Sequence, residues 1–175
     1  MVELNETNVV LKNTPAKYEK MKDELVPLLF GLLDELDSLE RGIFTQDREM
    51  DNEKTAMGIP SHIAHPDFSE FISGFRANYG AIIDKRVSEK LKAYGYAGSF
   101  GSPTKYYYVK SGAFLAEFTM RKDDMASIVV HYKHHINGCT EKKHKFVLRL
   151  IDGAWLVDEK YWGFDDEKSW HKDTF

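Results

Sequence analysis

The sequence predicts an α+β domain in which N-terminal helices pack on one face of a curved C-terminal antiparallel sheet. Apolar residues recur at helical spacing up to about residue 95, and beyond Pro103 they alternate every second residue. Two dipeptides favoured by two-residue hairpin turns, Asn137-Gly138 and Asp152-Gly153, punctuate the alternating part. Helices followed by a meander imply that the helices cover one face of the sheet.

The first helix is expected to begin at Thr14-Pro15, with Thr as cap and Pro in the first turn. Tyr18, Met21, Leu25, Leu28, Leu29, Leu32, Leu33, Leu36 and Leu39 then form one broad stripe. Pro27 removes a backbone donor inside this stripe, so a bend or split is expected there, and Gly42 marks the stop. From Arg41 to Pro66 the chain is polar, carries Gly58, Pro60 and Pro66, and reads mostly as loop. Asp67 is placed to cap a helix bearing Phe68, Phe71, Ile72 and Phe75, and a further helical stretch runs from about Gly80 to Tyr94. Gly95, Gly98, Gly101 and Pro103 end helical structure. TKYYYVK, AFLAEFTM, ASIVVHYKHHI, TEKKHKFVLRLI and AWLVDEKYW read as strands.

At 175 residues the chain fits one domain, 1–175, with helices in about 15–95 and the sheet in about 104–162. A hydrophobic fraction of 42% with 30% charged residues is that of a folded globular chain. The formal charge of -4 gives no broad basic field, so nucleic acid is not expected as a partner. No run approaches the roughly 18 apolar residues of a membrane span, so no membrane partner is expected either. MVELNETNVV lacks a basic segment followed by an apolar one, so no signal peptide is expected. The single Cys139 excludes an internal disulfide and fits a reducing compartment, with the cytoplasm as default.

Two-residue turns would fix the register of the last strands. Around Asp152-Gly153, Leu150 would oppose Trp155, Leu148 Val157, Phe146 Glu159, and His144 Tyr161. Around Asn137-Gly138, His131 would oppose His144 and Val129 would oppose Phe146. Paired residues share a face, so Val129, Phe146, Leu148, Leu150, Trp155 and Val157 would line an apolar side. Lys145, Arg149, Asp158 and Lys160, with Val147 and Leu156, would face water. This register also gathers His131, His144, Glu159 and Tyr161 into a polar cluster at one end of the apolar face. Such a group is suited to acid–base chemistry, since His titrates near neutrality beside a carboxylate. It equally suits the point where strands leave the core, and a single bulge would scatter it.

The final hairpin KFVLRLIDGAWLVDEKYW, preceded by helices, resembles the nuclear transport factor 2-like fold, a cystatin-like cone. GSPTKYYYV, HKFVLRLIDGAWLVDEKYW and GFDDEKSWHKDTF together resemble the bacterial immunity proteins of this fold, which belong to polymorphic toxin systems. That resemblance covers roughly the last 75 residues, and the helices match only in kind. It implies a noncatalytic, cytoplasmic inhibitor of one cognate toxin domain, encoded by a neighbouring gene, and supplies no universal binding residues.

Other motifs carry less chemistry. His62 and His65 form an H-x-x-H pair, but Pro60 and Pro66 bracket it and no Cys completes a ligand set. His134-His135 reads as a solvated hairpin end, and Cys139 has no visible activating base. GYAGSFGSPTK departs from the phosphate-loop pattern and follows a helix instead of opening one. In Tyr106-Tyr107-Tyr108 a strand would turn Tyr107 opposite to its neighbours, toward solvent or a pocket. Tyr and Trp are frequent binding hot spots.

Two functions follow. As an immunity protein, the chain would bind its toxin with Tyr107, Trp162, Asp165, Asp166, Glu167 and Trp170. As a small-molecule binder, or an isomerase or dehydratase, it would use the sheet cavity with His131, His144, Glu159 and Tyr161. No cofactor and no metal is expected, and a homodimer through the open sheet is left undecided.

Overall fold

The computed structural model describes residues 8–95, 98–135 and 140–175. The architecture is α+β: helices pack against one face of a curled, open six-stranded sheet ordered β1 to β6. The strands are β1 Val9–Leu11, β2 Phe114–Lys122, β3 Met125–Lys133, β4 Glu141–Ile151, β5 Ala154–Phe164 and β6 His171–Asp173. β2 to β6 form an antiparallel meander, while β1 runs parallel to β2 and makes the sheet mixed. Neither β1 nor β6 has a sequence signal, because three-residue strands are too short for alternation.

α1, Lys22–Ala56, is one helix of 35 residues, following a 3-10 turn at Ala16–Met21. Leu25, Leu29, Leu32, Leu33 and Leu36 are fully buried against the sheet, each side chain contributing about 1.5–3 kcal/mol of apolar burial. Pro27 neither splits nor ends it, although it removes the bond that an N–H there would have made to the Asp23 carbonyl. The expected stop at Gly42 and loop from Arg41 are corrected: helix continues to Ala56. Beyond Ile43 the helix buries no further side chain, so it lacks an apolar stripe to reveal it. Arg41 donating to Asp37 and Thr45 to the Arg41 carbonyl stitch the passage.

α2, Phe68–Arg86, merges the two helices expected after Asp67, and Asp67 makes no side-chain cap bond. It stops because Val87 turns extended and bridges Val157, with Ser88 N–H donating to the Val157 carbonyl. α3, Glu89–Lys92, then starts with the Ser88 hydroxyl capping the Leu91 N–H. The strand expected at TKYYYVK is instead a turn leading into α4, Tyr108–Ser111, closed by Gly112 in the left-handed region at φ 67°.

The Asp152-Gly153 turn is as expected. Both residues have positive φ, 51° and 83°, which a two-residue type I′ hairpin demands. Leu150 opposes Trp155 and Leu148 opposes Val157. Trp155 packs against the core.

Register then departs from expectation twice. Asp158 is an extra residue in β5, so Val147 opposes Glu159, Phe146 opposes Lys160, and His144 opposes Trp162. The bulge has a cause: Asp158 accepts from the Ser88 hydroxyl at 2.8 Å, Lys90 at 3.1 Å and Arg149 at 2.8 Å, while Glu159 accepts from Lys90 at 2.6 Å. Two successive carboxylates thus serve the same cations. Between β3 and β4, Val130 opposes His144 and His131 opposes Lys143, one residue away from the two-residue-turn register. The Asn137-Gly138 turn itself lies outside the described residues, as does Cys139.

The corrected faces follow. Phe118, Ile128, Phe146 and Lys160 form one inward row, and Ala116, Val130, His144 and Trp162 the next. Val129 points outward with Glu117, Lys145 and Tyr161, and Lys160, expected in water, is fully buried.

Candidate functional site

Chemistry-bearing side chains gather at the end of the sheet where β2 and β4 begin and β3 and β5 finish. On the inner side, His144 is buried between two hydroxyls, with Nδ1 2.9 Å from Tyr108 and Nε2 3.0 Å from Tyr132. Burial first, then the positive charges of Lys160, Lys105 and Lys142, hold its pKa well below the usual histidine range. The ring is therefore neutral at pH 7, one nitrogen donating to a tyrosine and the other accepting.

One layer deeper, the Lys160 ammonium is enclosed, donating to the Asp173 carboxylate and, at 2.9 Å, to the Thr174 carbonyl. Burial and the neighbouring Lys105 push Lys160 down to about 7, against the opposing pull of Asp173. Lys105 also donates to the Thr174 carbonyl at 2.9 Å, so two lysines hold the segment after β6. That segment carries the Phe175 side chain into the interior, against Tyr106 and Phe146. Glu40 accepts the Lys105 N–H at 3.0 Å through one oxygen, and burial raises its pKa. Its other oxygen, like the Tyr106 hydroxyl, has no hydrogen-bond partner among the described residues.

On the outer side, His131 stands between two carboxylates. Its Nδ1 is 2.5 Å from Asp165, and its Nε2 is 3.5 Å from Glu117, which also accepts from Lys12 at 2.8 Å. Burial alone would raise the Glu117 pKa, but Lys12 and His131 more than offset it. Next to this triplet lies a groove of about 740 Å³, lined by Glu117, His131, Glu141 and Asp165 with Tyr107 and Leu115. A depression of about 450 Å³ adjoins it, lined by Thr140, Glu141, Asp165 and Asp166.

The four residues of the expected acid–base cluster do not converge. His144 is inward, His131 is outward beside Asp165, and Tyr161 donates to Glu159 at 2.6 Å, beside Lys90 of α3. The register shift and the bulge together separate them. Of the six residues expected to bind a toxin, Tyr107 and Asp165 share the large groove and Asp166 the depression beside it. Tyr107 is more exposed than the buried Tyr106 and Tyr108, although on a helical turn instead of a strand, and its hydroxyl donates to the Lys133 carbonyl. Trp162 is inward, half-buried, and stacked on His171 with centroids 4.6 Å apart. Glu167 and Trp170 fold back onto the outer sheet face: the Glu167 carbonyl accepts from Lys143 at 2.7 Å, and the Lys143 ammonium lies 4.8 Å from the Trp170 ring. Gly163 permits this crossing, because a Cβ there would stand 3.0 Å from the Ser169 carbonyl oxygen.

His65 is buried beside Glu53 and Asp67, with its Nδ1 accepting the Asp67 N–H at 3.1 Å. Among the described residues no three His, Cys, Asp or Glu side chains are placed to hold a metal ion. No described helix is long and apolar enough to cross a membrane. Sequence reasoning missed Lys160, Asp173, Glu40 and Phe175. Lys160 looked outward because alternation was counted without the bulge, and Phe175 and Asp173 lie beyond the last recognisable strand. No protein-family model, curated protein or solved structure matches this chain.

Proposed function

We propose that this chain is an immunity protein that binds and neutralises a cognate bacterial toxin domain without catalysis. The observation that carries the reading is the groove of about 740 Å³ lined by Tyr107, by the carboxylates of Glu117, Glu141 and Asp165 and, among the described residues, by the single lysine Lys133, with Asp166 on the adjoining depression. An aromatic side chain set among carboxylates suits a basic segment of a partner, the ring supplying contact area and the charges accelerating encounter. The likeness of the C-terminal sequence to immunity proteins of the nuclear transport factor 2-like fold supports the same reading. Toxin contact is assigned to Tyr107, Asp165 and Asp166, with Glu141 and Glu117 joining them. Trp162 lies on the inner side, whereas Glu167 and Trp170 cover the outer face beside Lys143.

The test is co-purification and growth rescue with the toxin domain encoded by the neighbouring gene. A tight complex and rescue are expected, and the double variant Glu141→Lys/Asp166→Lys should slow association by about 10-fold or more at low salt. Absence of both binding and rescue rejects the proposal. The isomerase or dehydratase alternative needs His131, His144, Glu159 and Tyr161 in one pocket; His144 faces the inner side of the sheet and the other three the outer.

A further inference from the structure

Beside the groove, and separated from it by Tyr107 and the His134-His135 pair, lies a second cavity of about 300 Å³ on the inner side of the same sheet end. That volume is at the lower bound of small-molecule sites, about 300–1,000 Å³, and suits one or two fused rings. Its walls are Tyr107, Tyr132 and Trp162, and its cations are Lys105 and Lys142. Among the described residues Asp173 is its one carboxylate, and Lys160 and Lys105 already claim it.

The two cations differ. Lys105 is engaged with the Thr174 carbonyl, whereas Lys142 has no carboxylate or carbonyl acceptor among the described residues. Lys142 projects from the inward row Phe114, Tyr132, Lys142, Phe164, and its ammonium lies 5.9 Å from the Trp162 ring and 5.6 Å from the Phe164 ring. A half-buried ammonium beside two aromatic rings, with its remaining side to water, is available to an anion entering the cavity. Its field is felt nearby: after burial, Lys142 contributes to the lowered pKa of both His134 and His144.

We propose that this cavity is a binding site for a small planar aromatic carboxylate, with the ring against Trp162 and Tyr107 and the carboxylate on Lys142. A carboxylate fits better than a phosphate, because a single free ammonium is offered, without the arginine fork or long-helix N-terminus that phosphate sites use. This site does not rest on the toxin-binding proposal, although Tyr107 borders both cavities.

The experiment is calorimetric titration of the whole chain with indole-3-carboxylate and with its uncharged isostere indole-3-carboxamide. The acid is expected to bind saturably and at least about 10-fold more tightly than the amide, a ratio that shrinks with added salt. Lys142→Gln should abolish the preference for the acid while leaving the melting temperature in place. Trp162→Leu should weaken both compounds. Absence of saturable binding by the acid, equal binding of acid and amide, or an unchanged preference in the folded Lys142→Gln variant would each overturn the proposal.

Discussion

His131 and His144 sit on adjacent strands, and a one-residue difference in register puts them in opposite worlds. His144 faces inward, dry, neutral and held by two tyrosine hydroxyls; His131 faces outward, between Asp165 and Glu117 at the edge of an open groove. The inner end of the sheet also buries Lys160 against Asp173, whereas the outer end leaves its carboxylates beside water. The same residue types therefore do different work. Inside, His144 and Lys160 are fixed by partners that solvent cannot replace; outside, water substitutes for any partner that is lost. That makes His144 and Lys160 structural and leaves the outer histidine and carboxylates free to bind.

The sharpest way to break this contrast is to remove one inner charge. Lys160→Met should cost about 3 kcal/mol, at the lower end of the about 3–5 kcal/mol for breaking a buried pair, because Asp173 keeps Lys105 at 3.8 Å and is partly exposed. Adding Asp173→Leu should restore much of that loss. Lys160 also gives the wild type a distinctive pH dependence. Its folded pKa, about 7, lies below its ordinary value of 10.5, so in this window the unfolded chain holds the proton and the folded chain does not. Its contribution to stability must therefore rise with pH between about 7 and 10, by at most about 1.4 kcal/mol per pH unit. Urea unfolding at pH 7 and 9.5 checks both points; a Lys160→Met loss below about 1 kcal/mol would contradict the buried pair.

The next effect belongs to His144. Its folded pKa is depressed below 6.5 by burial and by Lys160, Lys105 and Lys142, so on acidification the unfolded chain gains a proton that the folded chain refuses. Stability should fall as pH drops below 6.5, again by at most about 1.4 kcal/mol per unit. His144→Phe should remove this slope between pH 6.5 and 5, while costing about 1–3 kcal/mol at pH 7 for the two tyrosine hydroxyls left without the ring. An unchanged slope in the variant would mean that another group carries the acid sensitivity.

What the sequence disclosed follows the same line between local and long-range causes. Alternation and the Asp152-Gly153 turn placed Leu150 opposite Trp155 and Leu148 opposite Val157, because backbone sterics set that hairpin from its own residues. Pairing failed five residues further on, where Ser88 and Lys90 at the start of α3, far off in sequence, and Arg149 on the neighbouring β4 draw Asp158 out of the ladder. The part of α1 beyond Ile43 escaped notice because it buries no side chain, and Tyr106 to Tyr108 looked like a strand because a short helical turn offers no period. Tyr107, Asp165 and Asp166 were recognisable as surface aromatic and acidic residues. Their convergence with Glu117 and Glu141 depended on strand order, and Lys142 became distinctive only once its row was known.

The smallest stability effect is expected from the outer histidine, and that smallness is itself informative. His131→Ala removes a contact to Asp165 and one to Glu117, yet all three side chains are partly solvent-exposed, so water can replace the imidazole. Exposed ion pairs contribute about 0–1 kcal/mol, and the loss on urea unfolding should stay within that range at pH 7. The same variant should matter more for binding than for folding. Freed from His131, Asp165 gains mobility and an unshared negative charge at the groove, so association with a cationic partner should become faster and more salt-dependent. A destabilisation above about 2 kcal/mol would place His131 with His144 as a structural residue and erase the distinction between the two faces. A small loss together with altered association kinetics would assign the outer face to recognition.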